Sequence, residues 1–354
     1  MPKLFASLAA LVLVALPLVA QKPEPPKFGE QMEVNVVLAD AIVTDRKGQQ
    51  ILGLDKDDFI VKENGVPQPV DSVDYFTNRR LLTGPEQTAA FKVERVREER
   101  YFILFFDKPN NGALFDQIAL ARSAAEQFIS RDLKPGDLVA IAGHDVRLKV
   151  YSDFTSDKSR LQKALDEVAR FGRGLKTSDA PPNGPSILRA VGASRMINRT
   201  GTVYEALEVL GDSVRGIRAR KDVVLFSPGI REPGEESRRG ILLSTSRYYD
   251  PMIHALNAAN VTVYAVNLQQ DPPNLPVVHQ TLDRISSETN GEYFRWNTSF
   301  IPALEKVEKT TNGYYLITYT AHHPKGTQGY QKIEVALRNP EFRIRARDGY
   351  HFGE

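Results

Sequence analysis

The sequence predicts an α/β fold: a doubly wound, mainly parallel sheet inserted in a β-sandwich that the N- and C-terminal segments build together. Three observations predict it. Met32 to Phe76 reads as strand alone. From Tyr101 the period changes, and continuous apolar runs such as Tyr101-Phe102-Ile103-Leu104-Phe105-Phe106 alternate with segments at helical spacing. That is the pattern of strands buried on both faces and joined by crossover helices. Tyr314 to the end returns to pure strand. Each flanking β segment is too small to stand comfortably alone, so one sandwich from both ends is the economical solution. The expected division is a leader at 1–20, a linker at 21–30, a split sandwich from 31–80 with 313–354, a linker at 81–100 and the α/β domain at 101–312.

The elements follow in order. Leu4 to Ala20 is an apolar run behind Lys3, with a small residue before polar Gln21. This is the layout of a cleaved secretory signal; an uncleaved anchor is the alternative, and either takes the rest of the chain out of the cytoplasm. Gln21 to Gly29, rich in Pro and Lys, reads as an extended linker. Met32, Val34, Val36 and Leu38 alternate with mostly polar partners and predict a half-buried strand that continues through Ile42 and Val43. Phe59 to Lys62 is a second strand. It meets Asn64-Gly65, a strong hairpin signal, with Val70 to Phe76 as the return strand. Lys92 to Arg100 is a mixed-charge connection.

In the α/β part, Leu114, Ile118, Ala121, Ala125, Phe128 and Ile129 fall on one helix. Leu138 to Ala142 and Val146 to Tyr151 form a strand hairpin, and Ser156-Asp157-Lys158-Ser159 opens the next helix. Gly172 to Met196 is irregular and long for a connection, which points to a functional or mobile loop. Strands at Val223 to Phe226 and Val261 to Val266 alternate with helices around Val203 to Val214, Met252 to Ala259, Val277 to Ser287 and Phe300 to Lys309. Arg343, Arg345 and Arg347 alternate with Phe342, Ile344 and Ala346 and read as the solvated face of a closing strand. Arg215, Arg218, Arg220 and Lys221 read as cations suited to a helix C-terminus.

Composition narrows the function. Lys and Arg number 46 against 44 Asp and Glu, a formal charge of +2, which leaves no footprint for nucleic acid or an anionic membrane. The absence of cysteine excludes disulfides, thiol nucleophiles and Cys-ligated metals. Leu225-Phe226-Ser227-Pro228-Gly229 is no hydrolase elbow, because Leu stands where Gly is needed and Pro removes an oxyanion-hole N–H. Gly172 to Thr177 lacks phosphate-loop spacing. His322 and His323 are adjacent strand residues facing opposite ways, so they do not share a ligand. Three Asn-x-Ser/Thr sites, at Asn198, Asn260 and Asn297, matter only in a host that glycosylates exported chains.

In open parallel sheets, sites form beyond the C-terminal ends of strands. The loops in question follow Phe106, Ala142 and Phe226 and surround Thr200. The first reads Asp107-Lys108-Pro109-Asn110-Asn111-Gly112. An apolar strand ending in Asp, then a strand hairpin, a Thr-containing loop entering a helix at Ala206-Leu207, and Val223 to Phe226 with a Gly turn together resemble a von Willebrand factor type A domain, a Rossmann-like fold. Asp58-Phe59, Asn64-Gly65, Tyr314 to Tyr319 and Arg345 to Tyr350 narrow the resemblance to exported, acidobacterial-type bacterial proteins of that family, over about residues 31 to 352.

That resemblance implies a divalent cation site built from Asp-x-Ser-x-Ser, a Thr and a second Asp. Here Asp107 keeps the first position. Pro109 and Asn111 replace the two serines, Thr200 or Thr202 supplies the threonine, and Ser227-Pro228-Gly229 stands where the second Asp belongs. One carboxylate with neutral ligands is a poor cage for Mg²⁺, Ca²⁺ or Mn²⁺, so any binding is expected to be weak. The resemblance therefore implies an exported, non-enzymatic adhesion or scaffold module. Its ligand surface comprises Asp107, Asn110, Asn111, Thr200, Thr202 and Ser227, with Asp107, Asn111 and Thr202 as the degenerate metal set. The expected partner is a protein of the cell envelope or outside the cell, with no nucleic acid and with a membrane only through an uncleaved leader. The alternative is a metal-assisted hydrolase using Asp107 with Asp145 or His144.

Overall fold

The structure, a computed structural model, describes residues 32–77, 100–109, 114–217, 219–230, 247–269, 276–295, 298–311, 313–327 and 329–352. The readings of the leader, the first linker, nearly all of 81–100, Asn110, Asn111, Asn297 and Arg218 lie outside the described residues. No helix among the described residues is long and apolar enough to cross a membrane.

The first β segment gives β1 (Met32–Thr44), β2 (Phe59–Glu63), β3 (Val66–Gln68) and β4 (Ser72–Thr77). The α/β part runs β5 (Tyr101–Asp107), α1 (Phe115–Gln127), β6 (Leu138–Asp145), β7 (Arg147–Thr155), α2 (Lys158–Ala169), α3 (Ile187–Val191), α4 (Ala193–Asn198) and α5 (Val203–Val214). It continues through β8 (Lys221–Ser227), α6 (Tyr249–Ala258), β9 (Val261–Asn267), α7 (Pro276–Glu288), β10 (Tyr293–Phe294) and α8 (Ile301–Thr310). The chain closes on β11 (Gly313–Pro324), β12 (Gly329–Leu337), β13 (Arg343–Ala346) and β14 (Gly349–Phe352).

The central sheet has six strands in the order β10-β9-β8-β5-β6-β7. All neighbours are parallel except β7, which returns antiparallel beside β6. Continuous apolar strands leave no polar face, so both faces need covering. Ile103, Phe105, Val223 and Leu225 pack under α3, α5 and α6, while Phe102, Leu104, Phe106 and Phe226 pack under α1, α2 and α8. Helix starts are fixed locally: Asp157 accepts from the Ser159 and Arg160 amides to cap α2.

Two four-stranded sheets, β13-β1-β11-β4 and β14-β12-β2-β3, face each other as the sandwich, and each mixes strands from both ends of the chain. Its core holds Val37, Ala39, Val43, Phe59, Tyr315, Ile317 and Ile333. The α/β part is thus inserted in the sandwich.

Five local expectations are corrected. Val34, Val36 and Leu38 are exposed, and it is Val37, Ala39, Ala41 and Val43 that enter the core. From Val36 to Ala39 both alternate sets are apolar, and a one-residue shift exchanges the faces. Asn64 and Gly65 do form the turn, at φ 47° and 82°. The return strand, however, is the short β3, and Ser72–Thr77 crosses to pair with β11 in the other sheet. Pro67 and Pro69 deny that stretch its ladder N–H groups. Gly172 to Met196 is anchored: Asp153 accepts from Ser186 Oγ (2.6 Å) and the Ile187 amide (2.9 Å), and Ile187, Leu188 and Val191 are buried.

The two basic groups are solvated only in part, with Arg343 and Arg215 exposed as expected. Arg220, Lys221 and Arg347 are buried at the junction of sandwich and α/β part. Arg347 donates from Nε to Asp40 Oδ1 at 2.7 Å and from Nη1 to the Asn257 carbonyl at 2.9 Å. Arg220 Nη1 reaches Asp40 Oδ2 at 3.4 Å and its Nε donates to Asp222 at 2.9 Å. Buried cations are found where carboxylates pair them.

Candidate functional site

Strand order reverses at β5, with β6 and β7 on one side and β8 to β10 on the other. The crevice between the C-terminal ends of β5 and β8 is where open α/β sheets bind ligands. Asp107 ends β5 and Ser227 ends β8. Side chains alternate along strands, so Asp107 shares a face with Phe105, Ser227 with Leu225 and His144 with Ala142. Asp107 is also in register with His144. Three neighbouring strands therefore bring Asp107, Ser227 and His144 into one row.

Ser227 Oγ donates to Asp107 Oδ2 at 2.6 Å and accepts from the Gly229 amide at 3.1 Å. This bond bridges the crevice. His144 Nδ1 stands 3.8 Å from Asp107 Oδ1, and its Nε2 is buried without a partner among the described residues. Burial pushes the Asp107 carboxyl above its ordinary value, and His144 and Ser227 offset part of that rise. The order His–Asp–Ser is wrong for an activated serine, because the serine proton goes to the central carboxylate and, among the described residues, the imidazole approaches that carboxylate and not the serine.

The threonines are committed elsewhere. Thr200, fully buried, accepts from the Leu148 amide at 3.1 Å and donates to the Met196 carbonyl at 2.6 Å. Thr202 caps α5: its Oγ1 accepts from the Glu205 amide at 3.1 Å, and the Glu205 carboxylate answers the Thr202 amide at 2.9 Å. No group of three or more His, Asp or Glu among the described residues is placed to hold a metal ion. Mg²⁺, Ca²⁺ and Mn²⁺ need at least six hard oxygens. Among the described residues the expected set offers one buried carboxylate and one hydroxyl, already bonded to each other, and Asn111 lies outside them.

Asp145 is brought to the same edge but to the opposite face of the sheet. Lys108 Nζ and Lys149 Nζ each donate to it at 2.8 Å. Burial would raise its carboxyl, but the two lysines outweigh burial and hold it below the ordinary value. Lys149 also donates to the carbonyls of Phe171 (3.0 Å) and Gly172 (3.2 Å). Neither lysine is among the site residues expected from the sequence. Strand alternation from Asp107 and Asp145 would have placed Lys108, Asp145 and Lys149 on one face. The sequence also placed Val146 inside a strand, whereas Val146 is the hairpin tip at φ 64°.

The sequence matches no protein-family profile and no curated protein. Solved structures give likenesses of fold. The human COPII-coat protein Sec24c is 10% identical, with a TM-score of 0.41, over 74% of this chain and 45% of that one, so the match spans less than half of Sec24c. A von Willebrand factor type A protein from Catenulispora acidiphila is 10% identical, with a TM-score of 0.40, over 89% of this chain and 74% of that one. The von Willebrand factor domain of the type V pili tip protein Mfa5 from Porphyromonas gingivalis is 11% identical, with a TM-score of 0.39, over 62% and 96%. Von Willebrand factor type A domains are thus among the solved structures this chain resembles in fold.

Proposed function

We propose that this chain is an exported, non-enzymatic binding module, an adhesin or scaffold, that grips a protein ligand with the loops at the C-terminal edge of its central sheet. The observation that carries the reading is the Ser227–Asp107 bond across the switch-point crevice. With it, the hydroxyls of Thr200 and Thr202 are turned to the protein itself. A site whose polar groups are closed on one another holds loops in place rather than doing chemistry, and the cation site is degenerate. The Leu4 to Ala20 leader supports export.

A photo-crosslinking residue at Lys108, on the binding edge, is expected to capture partners from envelope extract. One at Pro135, on the opposite edge of the sheet, is expected to capture none. Equal capture from both positions, or from Pro135 alone, sinks the reading.

His144 Nε2, buried without a partner among the described residues, is the observation that favours the second reading, a metal-assisted hydrolase at the Asp107 loop. Turnover of ester, peptide or phosphate substrates that disappears in Asp107→Asn would establish it.

A further inference from the structure

The β6–β7 hairpin ends in a single residue, since Asp145 pairs directly with Arg147. That residue, Val146, is 74% exposed and sits at φ 64°. Left-handed backbone is disfavoured for any side chain and most of all for a β-branched one. Gly or Asn would relieve the tip. A strained aliphatic side chain held in solvent has no role in the protein's own packing, and strain of this kind concentrates where a surface engages something else.

Cations from three segments flank β7 over the first residues beyond the tip. Arg147 follows Val146 directly. Arg199 precedes Thr200, whose Oγ1 is bonded to the Leu148 amide. Arg173 lies between Gly172, whose carbonyl binds Lys149, and Gly174, packed against Lys149 and the Val150 carbonyl. All three arginines are exposed, and none forms an ion pair among the described residues. Among the described residues the carboxylates at this end are largely engaged: Asp145 by Lys108 and Lys149, Glu167 by Arg170, Asp212 by Arg195 and Arg215, and Glu205 in its helix cap. Glu208, half-buried on α5, is the one that feels Arg199. Ile197, 52% exposed on α4, which packs beside β7, adds a second aliphatic.

From this juxtaposition we infer that the hairpin, with Val146 at its tip and Arg147, Arg173 and Arg199 flanking β7, docks an acidic protein segment that carries an aliphatic side chain. The inference rests on the binding reading above and names its partner chemistry. Unpaired guanidiniums complement carboxylates and bind them bidentately. The chain's formal charge of only +2 makes the positive surplus local rather than global. Val146 and Ile197 offer apolar contact that a nucleic acid or sulfated polysaccharide backbone would leave unused, so an acidic peptide fits better than either.

The test is fluorescence anisotropy with the full-length protein and a short labelled peptide of Asp, Glu and Leu. Binding is expected, and it should fall about tenfold or more when Arg147, Arg173 and Arg199 are together changed to Glu. It should also fall when Lys replaces the peptide's acidic residues or Ser replaces its Leu. Val146→Gly should raise the melting temperature while weakening binding several-fold, a combination that a purely structural valine would not give. The unchanged melting temperature of the charge-reversed protein confirms folding. No binding by the wild type, equal binding by the charge-reversed protein, or undiminished binding by Val146→Gly overturns the inference. So does tighter, arginine-dependent binding of heparin or a single-stranded oligonucleotide. Partner capture at Lys108 alongside any of these failures would leave the binding reading standing and reject only the acidic-peptide surface.

Discussion

Replacing Asp40 by Asn removes one charge from the junction between the sandwich and the α/β part while keeping the side chain's shape. Asp40 is 1% exposed. It accepts from Arg347 Nε at 2.7 Å, lies 3.4 Å from Arg220 Nη1 and accepts from Asn290 Nδ2 at 3.3 Å. Asp222 still pairs Arg220 in the variant, at 2.9 Å, so the guanidinium left uncompensated is that of Arg347, itself 4% exposed. Stranding one member of a buried pair costs about 3–5 kcal/mol. At about 2–4 °C per kcal/mol, the melting temperature should fall by roughly 6 to 20 °C. Thermal unfolding followed by circular dichroism reads this directly. Adding Arg347→Met removes the stranded charge, and the double variant should recover much of the loss. The pH dependence has a definite sign. Burial alone would raise the Asp40 carboxyl, but Arg347 and then Arg220 outweigh it and hold the folded value below the ordinary 3.8. The carboxylate's contribution is therefore complete above that value and disappears as pH falls through the lower folded one. Wild type and Asp40→Asn should converge in acid. A loss under about 1 kcal/mol at neutral pH, or no recovery in the double variant, would refute the reasoning, since the cost is attributed to one uncompensated charge.

Four further outcomes are expected. Burial, then Arg347, push Lys221 down to about 7 against the pull of Asp40 and Asp222, so unfolding releases a group that takes up a proton. Stability should rise by up to about 5 kcal/mol between pH 7 and about 10, and Lys221→Met should flatten that limb in denaturant titrations. Above about pH 10 the slope should turn down, because burial holds Tyr330 up to about 12 while the unfolded tyrosine ionises earlier. A Cβ on Gly291 would stand 1.7 Å from the Val263 carbonyl oxygen, so Gly291→Ala should cost about 3 kcal/mol by chemical denaturation. Mg²⁺ or Mn²⁺ near 10 mM should stabilise by less than about 0.5 kcal/mol, the mass-action gain expected when the concentration is near Kd; a large rise abolished by Asp107→Ala would show that the donor set closes around a cation after all.

The parallel sheet was legible because strands buried on both faces must be apolar throughout, and Tyr101 to Phe106, with its aromatic and β-branched residues ending in Asp107, has that character. The shared sandwich was legible from size alone. What escaped was decided by partners far away in sequence. Nothing near Arg347 announces Asp40, so an alternating Arg row looks like a wet sheet face until β1 is laid beside β13. Gly172 to Met196 looks like loose loop because its organiser is Asp153, on a strand that precedes it. The face of β1 was ambiguous because Val36, Val37, Leu38 and Ala39 satisfy either alternation. At the site, shared strand ends were enough to set Asp107 with Ser227, while His144 entered only as an alternative partner of Asp107. The direction of their hydrogen bonds, which decides between catalysis and closure, is set by rotamers that no spacing encodes.

Alternation divides the binding edge into two unlike surfaces. On the face covered by α3, α5 and α6, Asp107 and Ser227 are bonded together and nearly excluded from water. On the other face, Lys108, Asp145 and Lys149 are partly exposed and carry a net positive charge. The hairpin tip joins the two faces, and the Thr200 bond to Leu148 ties the tip to α4. Rigidity on the first face therefore has a consequence on the second: it fixes where the tip and its arginines stand before any partner arrives. A surface so pre-organised loses little conformational entropy on binding. Loosening it from behind, with Thr200→Val, leaves the Leu148 amide buried and unpaired and should cost about 1–3 kcal/mol of stability. If the edge binds as inferred, the same substitution should weaken capture of the acidic peptide without touching a single contact residue. Undiminished peptide affinity in a protein measurably destabilised by Thr200→Val would separate the tip's order from its binding and remove the argument for pre-organisation.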